Sequence, residues 1–118
     1  MIIVITGSRK WKNRESIRRE IVKFPKGTEF VHGGAQGADK IADEIARELG
    51  YTVREYKAKW RLYGRAAGPI RNTEILMTEK KIAQGIAFHA NLWTKSKGTK
   101  DMCEKMEAKG IPYRVIKE

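Results

Sequence analysis

A chain of 118 residues makes one domain, long enough to bury a core without disulfides or a structural metal. Its 41% hydrophobic content, single cysteine and lack of any apolar run of bilayer length exclude a disordered chain, a disulfide scaffold and a membrane span. Lys and Arg total 25 against 14 Asp and Glu, and the formal net charge of +11 favours phosphorylated or polyanionic partners without selecting one; it is equally the mark of a solvated basic surface.

Residues 2–5 form a continuous β-branched apolar run, the pattern of a strand covered on both faces. The run is too short for a leader and no basic segment precedes it, which sets the expectation of a cytoplasmic protein. Thr6-Gly7-Ser8-Arg9 follows as a loop whose hydroxyl and guanidinium suit a phosphate. Asn13 is placed to cap a first helix running to about residue 24, closed by Pro25-Lys26-Gly27. A short strand at residues 29–32 then leads into His32-Gly33-Gly34-Ala35-Gln36-Gly37-Ala38-Asp39. Three glycines where a strand gives way to a helix are either a tight connection or an anion cradle, because helix-start N–H groups and the positive end of the helix dipole attract phosphate. Ala38, Ile41, Ala42, Ile45, Ala46 and Leu49 repeat at helical spacing until Gly50, and residues 51–56 alternate as a third strand.

The segment at residues 57–72 differs in kind, combining basic and aromatic residues with no acid. Pro69 suits the first position of a third helix, which puts Arg71 and Asn72 in its first turn, a poor place for a cation unless an anion faces it. Residues 84–88 read as a fourth strand weakened by Gly85, Ser96-Lys97-Gly98-Thr99 opens a last helix through residue 109, and residues 113–116 form a fifth strand. Five strands alternating with four helices predict an α/β fold, a doubly wound, mainly parallel sheet with helices on both faces, over residues 1–118. Ligands bind such sheets outside the carboxyl ends of the strands, and the four unusual loops all follow strand ends.

Each candidate residue has a plain structural reading beside the functional one. Asp39 either accepts from a ribose hydroxyl or stabilises the first turn of its helix, and both are preferred to activating a water. Arg65 and Arg71 either clamp a phosphate or pair with Glu74 or Glu79, the clamp being favoured for Arg71. Trp60 and Tyr63 either stack a base or cover the sheet edge. His32 and His89, without ligand spacing, are expected to order strand-end loops by hydrogen bonding, and no metal site is expected. Ser8 and Ser96 read as phosphate or cap hydroxyls, and Cys103 as core.

In type and order, the Thr6-Gly7-Ser8-Arg9 and His32-to-Asp39 motifs, Gly64-Arg65-Ala66-Ala67-Gly68-Pro69-Ile70-Arg71-Asn72, and Ser96-Lys97-Gly98-Thr99 with Met102 resemble the YspA-like group of the SLOG superfamily. The resemblance covers residues 2 to about 115. It implies a Rossmann-like fold binding a nucleotide or nucleotide derivative as a sensor or sequestering module, with no further cofactor. Carried over residue by residue, Gly33, Gly34, Gly37 and Asp39 surround phosphate or ribose; Gly7, Ser8 and Arg9 line the neighbouring edge; Arg71 and Asn72 reach in from the third helix; Gly98 and Thr99 hold the place of a second glycine-threonine motif. The LOG phosphoribohydrolases of the same superfamily carry Pro-Gly-Gly ahead of that motif and a glutamate where Met102 stands. A hydrolase acting on an N-glycosidic or phosphate bond is therefore an alternative that would draw on Asp39, Asp101 or Glu104. Nucleic-acid binding by analogy with DprA is another, with Trp60, Tyr63 and Trp93 as stacking groups. A homodimer is implied by resemblance to LOG proteins alone.

Overall fold

The computed structural model of the chain describes residues 1–91 and 96–118. Five strands, β1 (Ile2–Gly7), β2 (Glu29–His32), β3 (Thr52–Glu55), β4 (Ile82–Phe88) and β5 (Tyr113–Ile116), form one sheet in the order β3-β2-β1-β4-β5. Every neighbouring pair is parallel. Side chains alternate across each strand, and this sheet buries both sides. Ile3, Ile5, Phe30, Ile86 and Phe88 pack on one face against α1 (Arg14–Ile21) and α2 (Ala38–Glu48), with Ile17, Ile21, Ala42 and Ile45 inserted between them. Val4, Val31 and Ala87 face the other way, under α4 (Ala67–Thr78) and α5 (Gly98–Ala108). The continuous apolar run at the start of the chain is thus the central strand of a Rossmann-like α/β sandwich. Cys103 is fully buried in this second layer, and burial pushes its thiol up to about 12, which leaves it inert as a nucleophile at neutral pH.

Three boundaries differ from the sequence pattern for identifiable reasons. The first helix, capped as expected by Asn13 Oδ1 accepting from the Ser16 N–H at 3.2 Å, stops at Ile21. Pro25 disfavours helical geometry at Phe24, whose ring leaves the helix to meet Phe30 edge-on at 5.7 Å between centroids. The basic segment contains a one-turn helix, α3 (Trp60–Tyr63), and a 3-10 turn (Gly64–Ala66) before α4, so Pro69 is the third residue of its helix. Proline is equally at home there, since N–H groups of the first turn have no intrahelical partner. Gly85 lies well inside β4, where a Cβ would strike the thioether of Met106; the glycine admits the α5 side chain onto the sheet.

Candidate functional site

The strand order turns back between β1 and β4, and the loops leaving β1, β2 and β3 meet beside that point. At their centre the Gly33 and Ala35 N–H groups both donate to Asp39 Oδ2, at 3.1 and 3.2 Å, while the Gly34 N–H donates to His32 Nδ1 at 2.9 Å. A carboxylate from the first turn of α2 thus sits as an internal anion in the crook of the glycine turn. Asp39 is 4% exposed, and its Oδ1 has no partner among the described residues. Burial pushes this carboxyl above its usual range, against the pull of the two N–H donors and of Arg71.

His32 is buried below the same turn. Because an N–H can only donate, Nδ1 is the acceptor and the ring proton lies on Nε2, which donates to Asp43 Oδ2 at 2.6 Å. His89 orders its own strand end in the same manner, Nδ1 accepting from the Asn91 N–H at 3.0 Å, and burial lowers its pKa. The structure also draws His32, Asp43 and Glu55 together, with ligand-type atoms within 4.8 Å of one another. Both His32 nitrogens are engaged in hydrogen bonds.

The glycines have distinct local reasons. Gly34 (φ +72°) and Gly37 (φ +79°) adopt a backbone region hostile to side chains, and a Cβ at Gly37 would collide with the Ser8 and Arg9 carbonyls. A Cβ at Gly34 would lie 2.6 Å from Glu55 Oε2, and one at Gly33 would strike the Arg71 guanidinium. Gly7 permits close packing of β1 on α2, since its Cβ would come 2.5 Å from that of Ala38.

Above the turn is an open cavity of about 250 Å³. Gly33, Gly34 and Ala35 form its floor; Arg9 and Trp60 form one wall; Lys40, Glu55, Lys57, Ala58 and Arg71 complete it. Arg71 arrives from the first turns of α4, its Nη1 donating to the Gly33 carbonyl at 2.7 Å and its Nε to Asn72 Oδ1 at 3.1 Å. Burial lowers its pKa from the usual arginine value, opposed by Asp39. The Arg9 guanidinium lies over the Trp60 ring, 5.4 Å from the centroid.

Of the residues singled out in the sequence, Arg9, Gly33, Gly34, Trp60 and Arg71 line this cavity, and His32 and Asp39 hold its floor from beneath. Ser8 Oγ caps its own loop by accepting from the Lys10 N–H at 3.1 Å, and Ser96 Oγ accepts likewise from the Lys100 N–H. Asn72 turns away, its amide donating to the Gly98 carbonyl at 3.1 Å and to Asp101 Oδ2 at 3.0 Å, and Asp101 also pairs with Lys105 at 2.9 Å. Gly98 and buried Thr99 belong to this second cluster at the start of α5, and Glu104 is exposed on that helix. Arg65 is exposed on the 3-10 turn and Tyr63 is exposed on α3; neither lines the cavity. Trp93 falls outside the described residues. Lys40 and Glu55 are cavity residues that no motif marked, and Lys57 enters from the start of the basic segment at residues 57–72. Glu55 left one sequence signal, as the last strand residue eighteen positions beyond Gly37.

Fold and cavity together define a Rossmann-like α/β domain with a glycine turn at the carboxyl edge of a parallel sheet. Residues 1–63 match the model of the YspA, cpYpsA-related SLOG family. The Gene 61 protein of Mycobacterium phage D29 is 35% identical over 119 aligned positions, covering 93% of this chain and 91% of that protein. The chain belongs to the YspA, cpYpsA-related SLOG family, a membership that points broadly to nucleotide-related function. No helix among the described residues is long and apolar enough to cross a membrane.

Proposed function

We propose that this protein binds the phosphate of a nucleotide or nucleotide derivative in the cavity above Gly33 and Gly34, as a sensing or sequestering module. The observation that carries the reading is the charge of the lining: Arg9, Lys40, Lys57 and Arg71 converge on one small cavity with a single acid among them. Cations gathered without matching acids repel one another unless an anion joins them. The α2 helix start below adds its dipole, although Asp39 already satisfies two of the turn's N–H groups, so side-chain cations carry the binding. Arg71, anchored on the Gly33 carbonyl, is pre-oriented and gives up little entropy on meeting a phosphate.

Binding without turnover is the better-supported form of the proposal. None of the three acids considered for hydrolysis lines the cavity: Asp39 lies beneath its floor with Oδ2 bound to the turn N–H groups, Asp101 is held by Asn72 and Lys105, and Glu104 is exposed on α5. The test is mass spectrometry of small molecules released on denaturing the purified protein, alongside a thermal-shift screen of nucleotides, cyclic nucleotides and ADP-ribose derivatives. Lys40→Glu serves as the control, because Lys40 is exposed and reverses charge without disturbing the core. A nucleotide-type species that stabilises the wild type and loses at least about tenfold in affinity in the variant supports the proposal. Equal behaviour of the two proteins, or steeply salt-dependent binding of oligonucleotides alone, overturns it.

A further inference from the structure

Glu55 does not belong in a site built for phosphate alone. It is the last residue of β3, is half-buried, and faces the same cavity as the four cations. Its carboxylate lies against Gly34, so close that a Cβ there would come within 2.6 Å of Oε2. Among the described residues it makes no side-chain hydrogen bond and no ion pair, although its carboxylate lies within 4.8 Å of ligand-type atoms of His32 and Asp43 and attracts Arg47 at longer range. A bare carboxylate beside a phosphate repels it, so its presence is a net loss for any ligand that offers only anionic oxygens. It becomes favourable for a ligand that brings a neutral donor alongside its phosphate, because an ionised carboxylate accepts hydrogen bonds and cannot donate them.

The position of Glu55 fits that role geometrically. In dinucleotide-binding sheets the acid that receives the ribose hydroxyls ends the strand next outward from the one bearing the glycine turn, about twenty residues further on. Here the glycine turn follows β2 rather than β1, β3 is the next strand outward, and Glu55 comes eighteen residues after Gly37. The whole arrangement is displaced by one strand with its internal relation kept. The cavity, at about 250 Å³, is also smaller than the roughly 300–1,000 Å³ of typical small-molecule sites. It has room for a sugar phosphate, which leaves the base to extend toward the half-exposed Trp60 under Arg9.

We infer that Glu55 accepts hydrogen bonds from the vicinal hydroxyls of a ribose, so that the site selects ribonucleotide-type ligands with a free 2′-hydroxyl over their deoxy counterparts. The inference rests on the phosphate-binding reading above, and one experiment separates the two. Amide resonances of the 15N-labelled protein are titrated with inorganic phosphate, ribose 5-phosphate and 2-deoxyribose 5-phosphate, for the wild type, Glu55→Ala and Glu55→Gln. The expected result is that all three probes shift the Gly33 and Gly34 amides. Ribose 5-phosphate should bind the wild type about tenfold more tightly than the deoxy sugar, the difference that a hydrogen bond to a charged group supplies. Glu55→Ala should bind all three phosphates with the ratio of the two sugars reduced to near one, and Glu55→Gln should keep part of the preference. If Glu55 only tunes charge, the alanine variant gains affinity for both sugars equally and the ratio survives, which overturns the inference. A wild-type ratio near one overturns it while leaving phosphate binding intact. Silence of all three probes overturns both readings. The same spectra report whether each variant is folded.

Discussion

Asp39 shows how a single side chain takes over what a glycine turn offers. Removing its carboxylate leaves the Gly33 and Ala35 N–H groups without acceptors in a buried setting. Asp39→Ala is therefore expected to destabilise the fold by about 2–4 kcal/mol, read from the urea midpoint. Asp39→Asn keeps an oxygen for both donors and should lose much less. The wild type and Asp39→Asn also differ in pH response. The folded carboxyl titrates above its ordinary value, so it contributes stability fully below that value and loses it as pH rises toward the folded one. Asp39→Asn lacks that loss, and its deficit relative to wild type should be smaller at pH 7 than at pH 4. A deficit that grows with pH would show that the carboxylate is held charged by its N–H donors and Arg71. The place of Asp39, two residues past the last turn glycine, is legible in the sequence. That its carboxylate folds back onto the turn is decided by packing, since Ala38 is pinned by its N–H to the Ser8 carbonyl at 3.1 Å.

At the level of elements, the helix that carries Arg71 is tied at its far end to β3 and, through it, to β2. Glu79, which caps α4, receives Arg54 of β3 through two hydrogen bonds at 2.9 and 2.7 Å and the Tyr56 hydroxyl at 2.6 Å, while Arg54 also pairs with Glu29 of β2. Arg54 holds the Glu79 carboxyl below its ordinary value of 4.5, and burial together with the bond to Glu79 pushes the Tyr56 phenol up to about 12. A depressed folded carboxyl stabilises above its unfolded value and loses that contribution as pH falls through the folded one. Glu79→Gln should lower stability by about 1–3 kcal/mol at pH 7, and the gap to wild type should close as pH falls below about 4.5. Chemical denaturation at pH 7, 5 and 3.5 checks this, and a constant gap would assign the effect to packing instead. Such ties join residues twenty-five apart, which no periodicity reveals. The helices themselves are legible because α2 repeats its apolar residues every three to four positions. The one-turn α3 is not, because four residues hold barely one period.

For the whole molecule, alternation of strand and helix patterns is enough to foretell a parallel sheet covered on both faces, because a strand with apolar residues on both sides has no other way to bury them. The strand order, and hence which strand ends meet, is set by tertiary packing, which is why Glu55 joins the site only once β3 is seen at the edge beside β2. Charge is the other property of the whole. A net +11 on 118 residues stores self-repulsion that any salt relieves by screening, whereas a phosphate held among Arg9, Lys40, Lys57 and Arg71 stabilises through binding to the folded state. The two effects separate when melting is followed in sodium chloride and in sodium phosphate at matched ionic strength. The Tm should rise in both and rise further in phosphate, with an added stabilisation of about 2.7 kcal/mol once phosphate reaches a hundredfold over its Kd. In Lys40→Glu the chloride increment should persist, because one reversal leaves the molecule strongly basic, and the phosphate increment should shrink. Equal Tm values in the two salts would mean that the cations act as a diffuse field, and that their convergence over the glycine turn confers no site.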